Sequence, residues 1–308
     1  MAKATILTED FAGMKSQAFG FAERAGYQKQ LCSLTPKGPW SFISAPYWPF
    51  PLKSVKPFHI EPSEIIISVG SVGGVINAAL RNSERPAIHI QNPRISPNKF
   101  DLVIVNPHDR LEGKNILISR TALHHISPQL LAESKDKWAP FFKNYKKPLV
   151  SVLIGGNNGR FTLGLNEARQ IANQLAALII TENVTIALTP SRRTDPQAID
   201  VFKAILTPLG AFIWDGIGEN PYLGLLACAD LILVTMDSVS MVSEAVATSV
   251  PVMIISLPGK SKRISLFIQS MQQQKRVKLF YGRFEIWNTG PLDDTEVIVY
   301  KAKKILGL

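Results

Sequence analysis

The chain has 308 residues, 46% apolar and 19% charged, enough for about two domains of roughly 150 residues each and far from the composition of a disordered chain. Cys32 and Cys228 lie far apart and outside any CxxC pair. This excludes a disulfide framework or a zinc ribbon and makes a reducing compartment the default. The net charge of +10 is uneven: residues 1–147 hold 19 basic and 11 acidic side chains, net +8, and the remainder 15 and 13, net +2.

The opening MAKATILTEDF has no apolar run of leader length, and no run approaches the roughly 18 to 20 residues of a spanning helix. The expectation is a cytoplasmic protein. TILTED reads as a strand and FAGMKSQAFGFAERAG as a helix with Phe19, Ala22 and Ala25 on one face. EIIISVG then SVGGVINAALRNS repeats the pattern through a glycine-rich turn, and PAIHIQ, DLVIVN and NILISRT are further strands. Thr5 to Arg120 therefore predicts a parallel sheet with helices on its faces.

KDKWAPFFKNYKKP, basic, aromatic and bounded by proline, reads as a linker. The alternation restarts at PLVSVLIGG, followed by the amphipathic LNEARQIANQLAALIITE, and continues to Gln274. The predicted fold is α/β, with two Rossmann-like doubly wound domains facing a cleft. Their expected spans are 1–145 and 146–290, with 291–308 a terminal helix.

In open parallel sheets, ligands sit beyond the carboxyl ends of the strands. Gly155, Gly156 and Asn157 follow one such strand, where glycine lets a ligand approach the backbone, although a plain strand-ending turn reads the same way. In TPSRRT, Ser191, Arg192, Arg193 and Thr194 offer forked donors and hydroxyls for phosphate oxygens, or form a solvated basic turn. TMDSVSMVSEA is the sharpest element. Asp237, Ser238 and Ser240 fall where a helix must start, so a serine cap would leave amides and a positive dipole end for a diphosphate. Glu244, one turn on, is placed to accept from ribose hydroxyls. In the first half, Asp10 follows one strand, and His108 and Asp109 follow another, where each is a candidate general base. No set of converging ligands makes a metal site, and no DxD occurs.

The segments LTEDFAGMKSQAFGFAE, ISVGSVGG, FDLVIVNPHD, VLIGGNN, TPSRRT, ENPYLGLLACAD and TMDSVSMVSEAVATSVPV together resemble the mitochondrial-fission-type "elongated mitochondria" family over nearly the whole chain. The resemblance implies a glycosyltransferase of the GT-B type, with a nucleotide-sugar donor on the second domain, an acceptor on the first, and a final helix crossing back to the first. It implies that Gly156 and Asn157 face the donor, Arg192, Arg193 and Thr194 its diphosphate, and Ser238, Ser240 and Met241 the helix-start pocket. Glu244 would hold the ribose, and Asn220, Pro221 and Tyr222 would border the base. The family's opening loop reads Asp-Gly-x-x-Gly-His or a close variant. Here Phe11 and Met14 stand at the second Gly-like and His-like places, which moves the expected base to Asp10 or Asp109.

The resulting expectation is metal-independent sugar transfer with no cofactor beyond the nucleotide-sugar co-substrate. The basic first half implies an anionic, lipopolysaccharide-core-like glycolipid acceptor. Trp40, Trp48, Phe50, Lys53, Lys56 and the KNYKK run are placed at the inner face of a membrane. A non-catalytic scaffold that recruits partners to a membrane is the alternative. Nucleic acid is not an expected partner, because the basic residues are not interleaved with a reader motif.

Overall fold

The computed structural model describes residues 2–308, which form two compact units, residues 2–125 with 293–308 and residues 126–292. The first begins with β1 (Lys3–Thr8), α1 (Ala12–Arg24), β2 (Gln28–Ser33), β3 (Ile65–Val69) and α2 (Gly70–Leu80). β4 (Ala87–Ile90), β5 (Leu102–Val105) and β6 (Ile116–Ile118) follow. All six strands are parallel, in the order β2-β1-β3-β4-β5-β6. The central strands are apolar on both faces (Ile65, Ile66 and Ile67 in β3, for example), as a sheet covered by helices on two sides requires.

The second unit opens with α3 (Pro128–Phe142), β7 (Leu149–Ile154), α4 (Leu165–Glu182), β8 (Thr185–Pro190) and α5 (Pro196–Leu206). It continues with β9 (Phe212–Ile213), α6 (Tyr222–Cys228), β10 (Leu231–Thr235), α7 (Val239–Val246), β11 (Val252–Ile255), α8 (Lys262–Gln273) and β12 (Val277–Leu279). Its parallel sheet runs β12-β11-β10-β7-β8-β9. The chain then returns to the first unit as α9 (Thr295–Leu306), whose Ile298, Val299 and Ala302 join the core cluster of β1, β3 and α1.

The division falls at residue 125, not 145. The segment read as a linker is α3, capped by Ser127, whose side chain accepts from the Leu130 amide at 3.0 Å. Trp138, Phe141 and Phe142 fall at helical spacing. Trp138 lies over Gly224 of α6, and Phe141 packs edge-on against Phe212 at 5.2 Å between centroids. Pro128 starts the helix and Pro140 lies inside it, so neither ends it.

The shift also removes the charge asymmetry. Divided at the observed boundaries, each unit carries 17 basic and 12 acidic residues, net +5. The five lysines from 135 to 147 belong to the second unit, so the inference of a basic first half loses its support.

Candidate functional site

The two sheets have different strand orders, and each order fixes where a ligand crevice opens. In the second unit the strands read outward from β7 to β8 and β9 on one side and from β7 to β10, β11 and β12 on the other. Connections therefore leave in opposite directions at β7 and β10, and the loops beyond their carboxyl ends diverge to leave a crevice. Those loops carry Gly155, Gly156, Asn157, Asp237, Ser238 and Ser240.

The loops are fastened to one another. Thr235 Oγ1 accepts the Gly155 amide at 2.8 Å, and the buried Asp237 carboxylate accepts the Gly156 amide at 3.2 Å. Arg193 reaches across from the loop after β8, donating Nη2 to Asp237 Oδ2 at 2.7 Å and Nη1 to the Gly156 carbonyl at 3.2 Å. Thr194 is buried and donates to the Gly155 carbonyl. Ser191 Oγ accepts the Arg193 amide at 3.2 Å. A Cβ at Gly155 would lie 2.2 Å from the Asp237 carboxylate, and one at Gly156 would lie 2.1 Å from the Arg193 carbonyl oxygen. Both glycines are thus dictated by the close approach of three loops. Asn157 is exposed, and its Oδ1 accepts the Leu163 amide at 2.8 Å, shaping the loop beyond.

Ser238 caps α7, its hydroxyl accepting from the Met241 amide at 3.3 Å. No acidic side chain occupies the first turn, so the positive end of this helix faces the loop cluster undiminished. Ser240 and Met241 are partly buried in that turn. Glu244 is buried in α7 and accepts the Tyr222 hydroxyl. Burial first, then the Glu244 charge and hydrogen bond, hold the Tyr222 phenol well above its usual range. Asn220 Oδ1 accepts the Tyr222 amide at 3.0 Å and opens α6. The expected donor-side residues thus gather at one end of one sheet, but with divided duties. Asp237 is buried and ion-paired with Arg193, whose own side chain is partly exposed, whereas Arg192 is exposed.

One contributor was missed in the sequence. Strand β11 also ends at this edge, and LPGKSKR follows it. Its loop is joined to the one after β7 through the Thr162 amide to the Pro258 carbonyl (3.0 Å) and the Lys260 amide to the Arg160 carbonyl (3.2 Å). Arg160 also donates to Ser261 Oγ at 3.2 Å. Arg160, Arg192, Arg193 and Lys260 therefore lie on loops at the carboxyl ends of β7, β8 and β11, and Lys262 and Arg263 open the helix α8 that follows. Of the acids on the same loops and helix starts, Asp195 caps α5, Glu167 accepts the Gly164 amide at the start of α4, and Asp237 is buried. The signal was available as Pro-Gly and three cations directly after an apolar run.

In the first unit the connections diverge between β1 and β3. Gly70, at a φ of +76°, starts α2 directly after β3, and a Cβ there would lie 2.9 Å from the Met14 sulfur. Of the expected bases, Asp10 is exposed and ion-paired with Lys15 at 2.5 Å. His108 and Asp109 have side chains buried in a short 3-10 turn, where Asp109 accepts the Asn106 amide at 3.2 Å in a capping box. Asn106 in turn donates to the carbonyls of Ser119 and Thr121 at 2.8 and 2.9 Å. These contacts give Asp109 a structural duty at the start of the turn. Glu9, which sequence reasoning passed over in favour of its neighbour, directly follows β1 at the divergence. It is partly buried, and burial lifts its carboxyl above the usual range, with no cation among the causes to offset it. Among the described residues, no group of three or more His, Cys, Asp or Glu side chains is arranged to hold a metal. Nor, among the described residues, is any helix long and apolar enough to cross a membrane.

The family model of Mitochondrial fission ELM1 matches residues 12–305. The Arabidopsis thaliana Mitochondrial fission protein ELM1 is 31% identical over 235 residues, 68% of this chain and 55% of that protein, so the chain spans about half the length of this curated relative. The Uncharacterized protein RP120 of Rickettsia prowazekii is 27% identical over 256 residues, 71% of this chain and 72% of its own. Among solved structures, the UDP-GlcNAc 2-epimerase of Neisseria meningitidis bound to UDP-GlcNAc matches with TM-score 0.54 at 12% identity, over 98% of this chain and 99% of that one. Medicago truncatula UGT71G1 complexed with UDP-glucose matches with TM-score 0.54 at 12% identity, over 99% and 90%. At such identities these likenesses establish the fold, two Rossmann-like units of the GT-B type.

Proposed function

The chain belongs to the mitochondrial fission ELM1 family, and from that premise we propose that it is a glycosyltransferase that takes its sugar from a nucleotide-sugar held on the second unit. The observation that carries this reading is the convergence, at the divergence of β7 and β10, of the positive end of α7 with Arg192 and the cations of the neighbouring loops. Departure of a nucleoside diphosphate leaves negative charge on its oxygens, and preorganised donors aimed at that charge are the largest single source of rate acceleration in such transfers. Arg192 and the α7 amides serve the diphosphate. The Arg193–Asp237 pair holds the glycine loop in position, and Glu244, oriented by Tyr222, serves the ribose. The solved neighbours bound to UDP-GlcNAc and UDP-glucose support a nucleotide-sugar as the co-substrate class.

For the acceptor we propose a cell-envelope glycolipid, whose hydroxyl passes its proton to Glu9. A carboxyl with a raised pKa is a better base near neutral pH than an exposed, ion-paired Asp10. Thermal-shift measurement against UDP-, GDP-, ADP- and CMP-sugars tests the donor reading, because a ligand that binds only the folded chain raises its melting temperature. Stabilisation by one nucleotide at micromolar concentration, lost in Arg192→Ala, supports the enzyme. Silence across the set would favour the non-catalytic scaffold.

A further inference from the structure

Between β2 and β3 the first unit carries a long segment with no regular strand or α-helix. Its neck is closed by an antiparallel bridge between Pro36 and Val55, reinforced by the Lys37 amide on the Ser54 carbonyl (3.0 Å) and the Lys56 amide on the Thr35 carbonyl (2.8 Å). Within the neck, three short 3-10 turns are pinned from inside. Ala45, Trp48 and Val55 are buried in a cluster with Leu7, Ile66, Val72 and Ile76, and the Trp48 indole donates to the Ile43 carbonyl at 2.9 Å. Trp40 stands edge-on to Trp48. Trp48 is therefore an anchor, not a surface residue, and the KNYKK run, which follows α3 in the second unit, takes no part.

The same rigid loop turns its remaining large side chains outward. Phe42 is 92% exposed, Tyr47 79% and Phe50 64%, with Ile43 and Leu52 also exposed. Five such side chains within eleven residues of a pinned loop are not scattered surface apolar residues; grouped exposure of this kind marks an interaction site. Their charge setting is one-sided. Lys37, Lys53 and Lys56 are exposed around them, with the Lys53 ammonium 5.7 Å from the Phe50 ring centroid, and no Asp or Glu occurs from residue 24 to residue 60.

We propose that this loop is a membrane-docking element. It seats Phe42, Ile43, Tyr47, Phe50 and Leu52 at the headgroup–acyl boundary of an anionic bilayer and sets the three lysines on lipid phosphates. The occupant follows from the pairing of the two features. Apolar and aromatic side chains ringed by lysines, with no acid to repel lipid phosphate, match the two-layer chemistry of a bilayer surface. A single loop tip is also small beside the roughly 800 Å² per partner of a stable protein interface. The inference stands on its own observations and does not depend on the donor reading.

The test is co-sedimentation of the full chain with vesicles of phosphatidylcholine alone and with about one-third phosphatidylglycerol, whose negative surface potential supplies the attraction. The expected result is binding to the anionic vesicles at least about tenfold tighter than to the neutral ones. It falls at least about tenfold in the Phe42→Ser/Phe50→Ser variant with no change in melting temperature, since these exposed rings add little to the folded core. Lys53→Glu/Lys56→Glu removes the preference for anionic lipid. Failure of the chain to bind either vesicle, or equal binding by the Phe42→Ser/Phe50→Ser variant, overturns the proposal. So does a dimer in solution that this variant dissociates, because a second copy would then be what covers the loop.

Discussion

A single methyl group tests how tightly the donor-side loops are knit. Gly156→Ala places a Cβ against the backbone carbonyl of Arg193, a residue whose amide is tied to Ser191 Oγ, so the loop after β8 must move. The expected cost is about 1–3 kcal/mol of stability in the second unit, together with loss of nucleotide-induced stabilisation, both read by thermal denaturation with and without ligand. His89 offers a test in the first unit. It is fully buried, bonded through Nδ1 to Ser68 Oγ at 2.9 Å and stacked on Phe100, and burial lowers its pKa to about 3. Below the ordinary histidine value of about 6.5 the unfolded chain takes up a proton that the folded chain refuses. Stability is therefore fully present above that pH and is lost as pH falls toward 3, by up to about 1.4 kcal/mol per pH unit. Melting curves from pH 7 to pH 4 should show a steeper decline for the wild type than for His89→Gln. Glu9 carries the catalytic counterpart: Glu9→Gln should abolish transfer, and the acidic limb of kcat/KM should lie above the ordinary glutamate value of about 4.3.

Helix α7 shows how an element can be prepared at both ends. Ser238 closes its first turn without bringing in negative charge, while at the far end the buried Arg276 guanidinium donates to the carbonyls of Val246, Thr248 and Val250 at 3.2, 2.6 and 3.1 Å. Arg276 follows α8, and nothing in its local sequence marks it as the partner of another helix. Arg276→Met would leave the Thr248 and Val250 carbonyls without this donor, while the Val246 carbonyl keeps the Leu292 amide at 2.8 Å. It should cost about 3 kcal/mol and weaken nucleotide binding, and Arg276→Lys should recover only part, since an ammonium lacks the fork that spans the carbonyls. What was legible at this scale was the serine cap and the alternation of strand and helix, both of which are local. The reading failed where a tertiary partner decided the outcome. α3 looked like a linker because its prolines and lysines dominate its composition, yet its aromatic stripe is satisfied by Gly224 and Phe212, some eighty residues away in sequence. Likewise Asp237 and Arg193 read as ligands for a substrate, because their attraction to each other cannot be seen before the loops converge.

At the scale of the molecule the two strand orders were not legible, and with them the places where Glu9 and Asp237 sit. The sequence shows that strands alternate with helices but not which strands are neighbours. The even division of charge was hidden for the same reason, since it depends on where the chain changes units. The first unit is closed by α9, whose attachment is polar at its start and apolar along its length. Arg120 grips Asp294 with its backbone amide at 2.7 Å and with Nε, and Asp293 meets Arg24 and His124. Although burial opposes it, the Arg120 contacts hold the Asp294 carboxyl below its usual range, so this anchorage also weakens as acid protonates it. A chain ending at Leu292 should lose about 5 kcal/mol from the first unit, the burial of Ile298, Val299 and Ala302. Calorimetry should then show the first unit's transition lowered or absent and that of the second unchanged.

The route by which α9 rejoins the first unit also reverses the order in which the halves can mature on the ribosome. The stretch from Ile126 to Leu292 is continuous and has all of its strands once it has emerged. The amino-terminal half, made first, must wait for residues 293–308 to leave the exit tunnel before α9 can dock. Until α9 has emerged, the β1–β3 side of the nascent chain lacks that cover, and this interval is where a chaperone would find its apolar surface.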